Sequence, residues 1–109
     1  MPESNERGAL TEAVYYILLS LYHPMHGYGI MQNVNMLSHN RVNLGPGTLY
    51  GAINTLLEKH LIESFSSDDK SRKKEYIITT LGKQTVINEL ERLNELIING
   101  TQIVKEDVE

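Results

Sequence analysis

The segment NLGPGTLYGAINTLLEKHLIE, residues 43–63, joins a loop-like beginning to a run of regularly spaced apolar residues. Its first part is typical of a loop, since two glycines flank Pro46, and its second part repeats leucine and isoleucine at helical spacing. Proline suits the first turn of a helix because its missing N–H would have no partner there. We therefore predict a helix from Pro46 to about His60, with a buried stripe of Leu49, Ile53, Leu56 and Leu57.

The opposite face of this predicted helix is small and able to form hydrogen bonds. It carries no bulky apolar side chain, and Tyr50 stands at its border. A face of this kind can enter the major groove of DNA, where hydroxyl and amide groups bond to base edges. Its members are Gly47, Thr48, Gly51, Asn54, Thr55 and Glu58.

The preceding sequence predicts two more helices. Apolar residues at spacings of three and one indicate a first helix between Leu10 and Leu21, which Pro24 would end. A second helix fits residues 27–38, with two glycines at its start that would let another backbone or a ligand come close.

The following sequence predicts a β-hairpin and a fourth helix. Residues 61–67 and 73–79 alternate and are β-prone, with a polar tip between them. Thr79 is the predicted N-cap of the fourth helix, and Gly100 is expected to end or fray it. A heptad-like seam in this helix consists of Val86, Leu90, Leu93 and Ile97. The seam favours dimerisation, and covering of the chain's own core is the alternative.

This order of elements describes a winged helix-turn-helix, mainly α with a β-hairpin. The third helix is free to enter a major groove, while the hairpin tip reaches a phosphate or the minor groove. The tip supplies four cations, Lys70, Arg72, Lys73 and Lys74. The predicted organisation is a flexible N-terminus (1–8), the winged helix-turn-helix (9–79), a C-terminal dimerisation helix (80–100) and an acidic tail (101–109).

Composition bounds the possible functions. The chain has 109 residues, a net charge of −4 and no cysteine, which excludes disulfides and thiolate zinc sites. Residues 41–83 carry seven of the ten Lys and Arg against five acids, whereas residues 84–109 carry two against six. This asymmetry suggests one face for an anionic partner. The sequence offers no signal peptide or membrane span, so we expect a cytoplasmic protein.

No catalytic arrangement is visible in the sequence, and we predict neither enzyme activity nor a cofactor. His23 and His26 could suggest a metal pair, but no third ligand is recognisable, so no metal site is predicted.

Three motifs resemble the PadR family of bacterial transcriptional regulators. They are HGYGI (26–30), GPGTLYGAINTLLEKHLIE (45–63) and KKEYIITTLGKQ (73–84), and the resemblance covers about residues 10–98. It implies a winged helix that dimerises through its N-terminal and C-terminal helices and usually represses a promoter with an inverted-repeat operator. The implied dimer residues are Leu10, Val14 and Ile17, together with the seam from Val86 to Ile97.

The resemblance also implies roles for individual residues. Tyr28 would approach the DNA backbone, whereas Pro46, Gly47, Thr48 and Tyr50 would seat the third helix and touch phosphates or bases. Some multidrug-sensing members hold flat aromatic drugs between tryptophans at the dimer interface, and this chain has no tryptophan. Tyr15 and Tyr16 are the candidate ligand residues here, with packing as the alternative.

The sequence thus predicts a homodimeric repressor that binds a double-stranded DNA operator and responds to a small-molecule effector if one exists. Two alternatives stay open: a winged-helix module that docks a protein, and a small-molecule sensor that needs no DNA.

Overall fold

The computed structural model describes residues 9–65 and 74–108, so the first eight residues and most of the hairpin tip are outside it. No helix within these ranges is long and apolar enough to cross a membrane. The elements in chain order are α1 (Glu12–Ser20), β1 (Met25–His26), α2 (Gly27–Leu37), α3 (Pro46–Glu58), β2 (Ile62–Phe65), β3 (Glu75–Ile78) and α4 (Thr80–Val108).

The core lies where the first three helices meet the sheet and the beginning of α4. Burying a large aliphatic side chain contributes about 1.5–3 kcal/mol, so a core of this size can hold short helices together. Its buried members are Ile17, Leu18, Leu21, Ile30, Val34, Leu49, Ile53, Leu56, Ile62, Tyr76, Ile78 and Val86.

The predicted hairpin is confirmed, and a third strand joins it. The strands are antiparallel in the order β1-β3-β2. Ile62 lies opposite Ile78 in the hairpin, and Met25 of β1 lies opposite Tyr76. Sequence analysis missed β1 because two residues after a proline carry no alternation that could reveal a strand.

Local hydrogen bonds explain where three of the helices begin. The Thr11 hydroxyl accepts from the Val14 N–H at 3.1 Å, and Nδ1 of His26 accepts from the Gly29 N–H at 3.3 Å. The Thr79 hydroxyl accepts from the Gly82 N–H at 3.0 Å, as its predicted capping role requires.

Gly82 allows α4 to start close to the end of the helix-turn-helix. A Cβ at this position would overlap the Leu61 carbonyl oxygen and lie 2.6 Å from Cγ1 of Ile78. Thr79 reinforces the junction, because its hydroxyl donates to the His60 carbonyl at 2.8 Å. The direction of α4 is therefore fixed relative to α3.

The prediction that the fourth helix ends at Gly100 is wrong. The helix has 29 residues and continues to Val108, which makes it about 43 Å long at ~1.5 Å per residue. Gly100 has no positive φ, so it does not take the left-handed conformation that closes a helix. Glycine inside a helix costs only about 1 kcal/mol relative to alanine, which the helix tolerates.

Candidate nucleic-acid interface

The face of α3 that the sequence assigned to DNA is exposed in the structure. Leu49, Ile53 and Leu56 are at most 3% exposed and anchor the helix on the core. Opposite them, the predicted reading residues share one outward surface, and they are Gly47, Thr48, Gly51, Asn54 and Thr55.

The two glycines on this face are not needed by the fold. A Cβ at Gly47 or Gly51 would meet no described atom within 4 Å. This is the opposite of Gly82, where a neighbouring backbone excludes any side chain. The small size of Gly47 and Gly51 instead leaves the helix surface open to a molecule from outside.

The beginning of α3 exposes hydrogen-bond donors. Its N-cap is Gly45, and no side chain of the described residues caps it. Pro46 has no N–H, so the free donors at this end are the backbone groups of Gly47 and Thr48, both in exposed residues. A helix N-terminus carries partial positive charge and binds anions such as phosphate.

The two signature motifs meet at Gly27 and Tyr50. Gly27 is buried, and a Cβ there would overlap the Tyr50 hydroxyl and lie 2.7 Å from its Cζ. Tyr50 lies across the start of α2 and remains 44% exposed, while Tyr28 beside Gly27 is 61% exposed. Because Gly27 has no side chain, the Tyr50 ring can lie against the start of α2.

Thr55 is at the edge of the reading face. Its hydroxyl donates to the Gly51 carbonyl at 3.1 Å, so its proton is already used within α3. With Ala52 and Lys59 it also lines a cavity of about 270 Å³ between α3 and the start of α1. Thr55 is therefore less free to bond a base than Thr48 or Asn54.

Sequence reasoning missed a group of carboxamides that lies beside the start of α3. Gln32, Asn35 and Asn43 line a shallow cleft with Met31 and Leu44, and the Asn35 amide donates to Oδ1 of Asn43. Carboxamides can donate and accept, so they suit contacts with phosphates or base edges. The spacing of Gln32 and Asn35, three residues apart on the polar side of α2, was the available signal.

Of the four cations predicted for the wing, the structure describes Lys74. Lys74 is exposed directly before β3, whose first residue, Glu75, lies opposite Phe65. The other three predicted wing cations, Lys70, Arg72 and Lys73, lie outside the described residues.

The predicted dimerisation residues separate into two groups. Ile17 and Val86 are at most 2% exposed inside the protomer's own core, which corrects their assignment because no partner can reach them. The others remain accessible: Leu10, Val14 and Leu93 are half-buried, and Leu90 and Ile97 are 48% and 64% exposed.

Tyr15 and Tyr16 are half-buried on α1 and contact each other. Their ring centroids are 5.8 Å apart at an interplanar angle of 57°. Burial raises the pKa of Tyr15, and the Glu89 carboxylate adds to the rise. Both tyrosines pack against the core, so this geometry fits the packing alternative more directly than an open ligand site.

Glu89 links the start of α1 to α4. Its side chain is 4% exposed and accepts from Arg92 Nε at 3.0 Å, from Nη2 at 2.6 Å and from the Leu10 N–H at 3.4 Å. The Arg92 hydrogen bonds lower the pKa of Glu89 against the opposing effect of burial. Sequence reasoning did not single out this buried carboxylate.

Fold and site together define a winged helix-turn-helix whose third helix, α3, has an open outward face. A model of the transcriptional regulator PadR-like family matches residues 16–88, and the chain belongs to that family. Members of this family are transcriptional regulators, and this chain is one of them.

Two relatives are similar in sequence, and neither has a described function. A 37.1 kDa protein of transposon TN4556 from Streptomyces fradiae is 33% identical over 73 residues, which span 67% of this chain but 20% of that protein. Protein X of Lysinibacillus sphaericus is 29% identical over 84% of this chain and 86% of its own length.

A solved structure has the same fold. The PadR family transcriptional regulator from Eggerthella lenta superposes with a TM-score of 0.64 at 21% identity, covering 85% of this chain and 80% of that one.

Gly27→Ala should displace the Tyr50 ring without unfolding the protein. The new methyl group occupies the place of the Tyr50 hydroxyl, and the half-exposed ring can swing outward at a cost of about 1 kcal/mol. NMR contacts between the Tyr50 ring and residue 27 should disappear. Gly47→Ala is the matched control and should leave them unchanged. Retention of these contacts in Gly27→Ala would contradict the positioning role.

Glu89→Gln should lower the free energy of unfolding at pH 7 by about 1–3 kcal/mol, since charged hydrogen bonds are lost at a buried site. Because folding lowers the pKa of Glu89, its contribution is present above about pH 4.3 and lost as pH falls through the lowered value. Urea unfolding of the variant should therefore depend less on pH between 7 and 3. Glu91→Gln is the exposed control, and equal stability of both variants would refute the link.

Proposed function

We propose that this regulator is a homodimeric, sequence-specific DNA-binding protein and that it represses transcription from a promoter. The observation that supports this most strongly is the surface of α3, where an uncapped N-terminus adjoins a face without bulky side chains. A groove-binding helix needs both features, because its backbone must approach phosphates and its side chains must reach base edges.

The reading residues divide by chemistry. The backbone N–H groups of Gly47 and Thr48 would hold a phosphate. Tyr28 at the start of α2 and Tyr50 of α3, whose ring lies beside it, would contact the DNA backbone. Thr48 and Asn54 carry a hydroxyl and a carboxamide that make no hydrogen bond to a described residue and would bond to base edges. Pro46 starts the helix, and Thr55 has a lesser part because its hydroxyl bonds to α3 itself.

The wing would supply affinity that does not depend on sequence. Lys74 directly precedes β3, the strand that leaves the wing, and Lys70, Arg72 and Lys73 come before it in the chain. Each phosphate that a cation neutralises releases counterions, so binding should weaken as salt increases. These contacts also offset the net charge of −4, which otherwise opposes binding to DNA.

A dimer would place two copies of α3 in successive major grooves, about 34–36 Å apart along the duplex. Exposed apolar residues on α4, chiefly Leu90 and Ile97, with Leu93, Leu10 and Val14 beside them, are the proposed dimer contacts. An effector near Tyr15 and Tyr16 could change operator affinity only if it bound one spacing of the two helices more tightly than the other. A chromosomal operator would place this activity in the cytoplasm.

Titration of the chain with duplexes from its own upstream region tests the proposal. We expect a dimer to bind one inverted repeat, with affinity that falls steeply with salt. Thr48→Ala and Asn54→Ala should change discrimination among sequences, whereas Lys74→Ala should weaken binding to all of them. A folded dimer that binds no duplex at low salt would favour the protein-docking alternative.

Gly45→Asp should separate stability from function. A carboxylate at the N-cap bonds to the free N–H groups of α3 and stabilises the fold by a few tenths of a kcal/mol. The same carboxylate repels a DNA phosphate, so operator affinity should fall by about tenfold or more, the loss of one charge-assisted contact. Gly45→Ser supplies a neutral cap as control. Unchanged affinity in Gly45→Asp would show that no phosphate binds there.

A further inference from the structure

The outward face of α3 carries one carboxylate, Glu58, in line with the two open glycines. Four residues repeat along this line at intervals of four, three and four: Gly47, Gly51, Asn54 and Glu58. At ~100° per residue they fall within an arc of about 60°, on the side of the helix opposite the buried Leu49. All four are exposed. Glu58 therefore lies on the surface that we propose to face DNA.

The carboxylate of Glu58 does not stabilise α3. Glu58 is the last residue of the helix, and the last turn contains no basic residue. The C-terminus of a helix carries partial negative charge, which disfavours a carboxylate there. The ion pairs among the described residues join Glu12 to Arg41 and Glu89 to Arg92, and neither includes Glu58. The reason for an acid at this position is therefore sought outside the protomer.

Lys59 follows Glu58 in the chain but faces a different surface. It lies about 100° further around the helix and lines the cavity between α3 and the start of α1, together with Thr55 and Ala52. Glu58 is the one charged residue within α3 itself. The outward face of this helix thus carries a negative charge that no cation of the same helix offsets.

Side chains become longer along the line from the beginning of α3 to its end. Gly47 and Gly51 have none, Asn54 has a short carboxamide, and Glu58 has a longer side chain. The helix is about 20 Å long, whereas the major groove is about 8.5 Å deep. The gradient fits a helix that lies deepest in the groove at its N-terminus, because longer side chains then span the greater distance at its C-terminus.

A carboxylate in the major groove distinguishes bases because it has no donor. An ionised Glu58 can only accept, so its partners are the amino groups at N6 of adenine and N4 of cytosine. On adenine, the N7 acceptor lies beside the amino group and repels the second carboxylate oxygen. Cytosine presents a C–H at the corresponding place. Cytosine is therefore the base that a carboxylate favours.

The same charge opposes binding where no such amino group is present. Phosphates, the N7 and O6 atoms of guanine and the O4 atom of thymine are all acceptors, and they repel a carboxylate. A group that penalises the wrong partners increases specificity more than it increases affinity for the right one. Glu58 would thus reduce binding to most sequences and permit binding to those with a cytosine in reach.

We propose that Glu58 is a specificity-determining residue, which accepts a hydrogen bond from the N4 amino group of a cytosine in the operator. The inference rests on the DNA binding proposed above and adds the base that this end of α3 selects. Asn54, one helical turn earlier, carries the carboxamide that pairs with adenine. The two residues are about 6 Å apart along the helix axis, or about two base pairs at ~3.4 Å each. Each half-site should contain an adenine and, about two base pairs away, a cytosine.

Selection of duplexes from a random pool tests the inference when the unaltered chain is compared with Glu58→Gln. The unaltered chain should favour cytosine about tenfold at one position of each half-site. Glutamine has the donor and the acceptor that match adenine, so Glu58→Gln should change this position to adenine and leave the others as they are. Selection of the same base by both proteins would overturn the inference.

Glu58→Ala provides a second variant, which removes the acceptor without adding a donor. It should bind all four bases about equally at the cytosine position. Glu91→Gln is the matched control, because it removes the same charge from an exposed position on α4. It should keep the preference for cytosine. If Glu91→Gln lost this preference as Glu58→Ala does, Glu58 would act only through the net charge and the inference would be wrong.

The unaltered chain also distinguishes the two levels of failure. If it selects no sequence from the pool, the proposed sequence-specific DNA binding is refuted, and the role of Glu58 with it. If it selects a defined site that is the same for Glu58→Gln and Glu58→Ala, DNA binding stands and the assignment of Glu58 is refuted.

Discussion

The structure depends first on the burial of one side of α3. Leu49, Ile53 and Leu56 leave almost no surface to solvent and hold the helix against α2 and β2. Because side chains repeat every 3.6 residues, fixing these three in the core forces Gly47, Gly51 and Asn54 to the outside. The surface that we propose to bind DNA is thus exposed as a geometric consequence of core packing, and no separate interaction is needed to expose it.

Glycine has different physical roles at different points of this fold. Gly82 lets α4 pass a backbone carbonyl, and Gly27 makes space for the Tyr50 ring. Gly47 and Gly51 have no such neighbours among the described residues, which supports the proposal that they leave room for a molecule from outside. The sequence motif alone does not show which glycine has which role. The structure does, because it shows whether a Cβ at each position would meet a neighbouring atom.

Periodicity predicted the three helices of the helix-turn-helix and the hairpin, because each pattern reports a buried face. It did not predict β1, which exists through pairing with β3, or the continuation of α4 past Gly100. It also assigned Val86 to a partner, since an apolar seam does not say which surface covers it. The buried Glu89 was missed because its partners, Arg92 and the Leu10 N–H, come together only in the folded chain.

The α4 helix contributes both to the stability of the protein and to its proposed activity. Its first turns complete the core through Val86, and Glu89 binds the start of α1. Its exposed second half carries Ile97, one of the proposed dimer contacts. A change of packing at α1 could therefore shift α4 and, with it, the proposed dimer contacts. An effector that binds near α1 could act in this way.

We propose above that the outward face of α3 is the DNA-binding surface. Amide NMR spectra recorded while an operator duplex is added test it most directly. We expect the signals of Gly47, Thr48, Gly51 and Asn54 to shift or broaden most, together with Lys74 at the wing. Changes confined to α4, with the α3 signals unaffected at saturating duplex, would contradict the account.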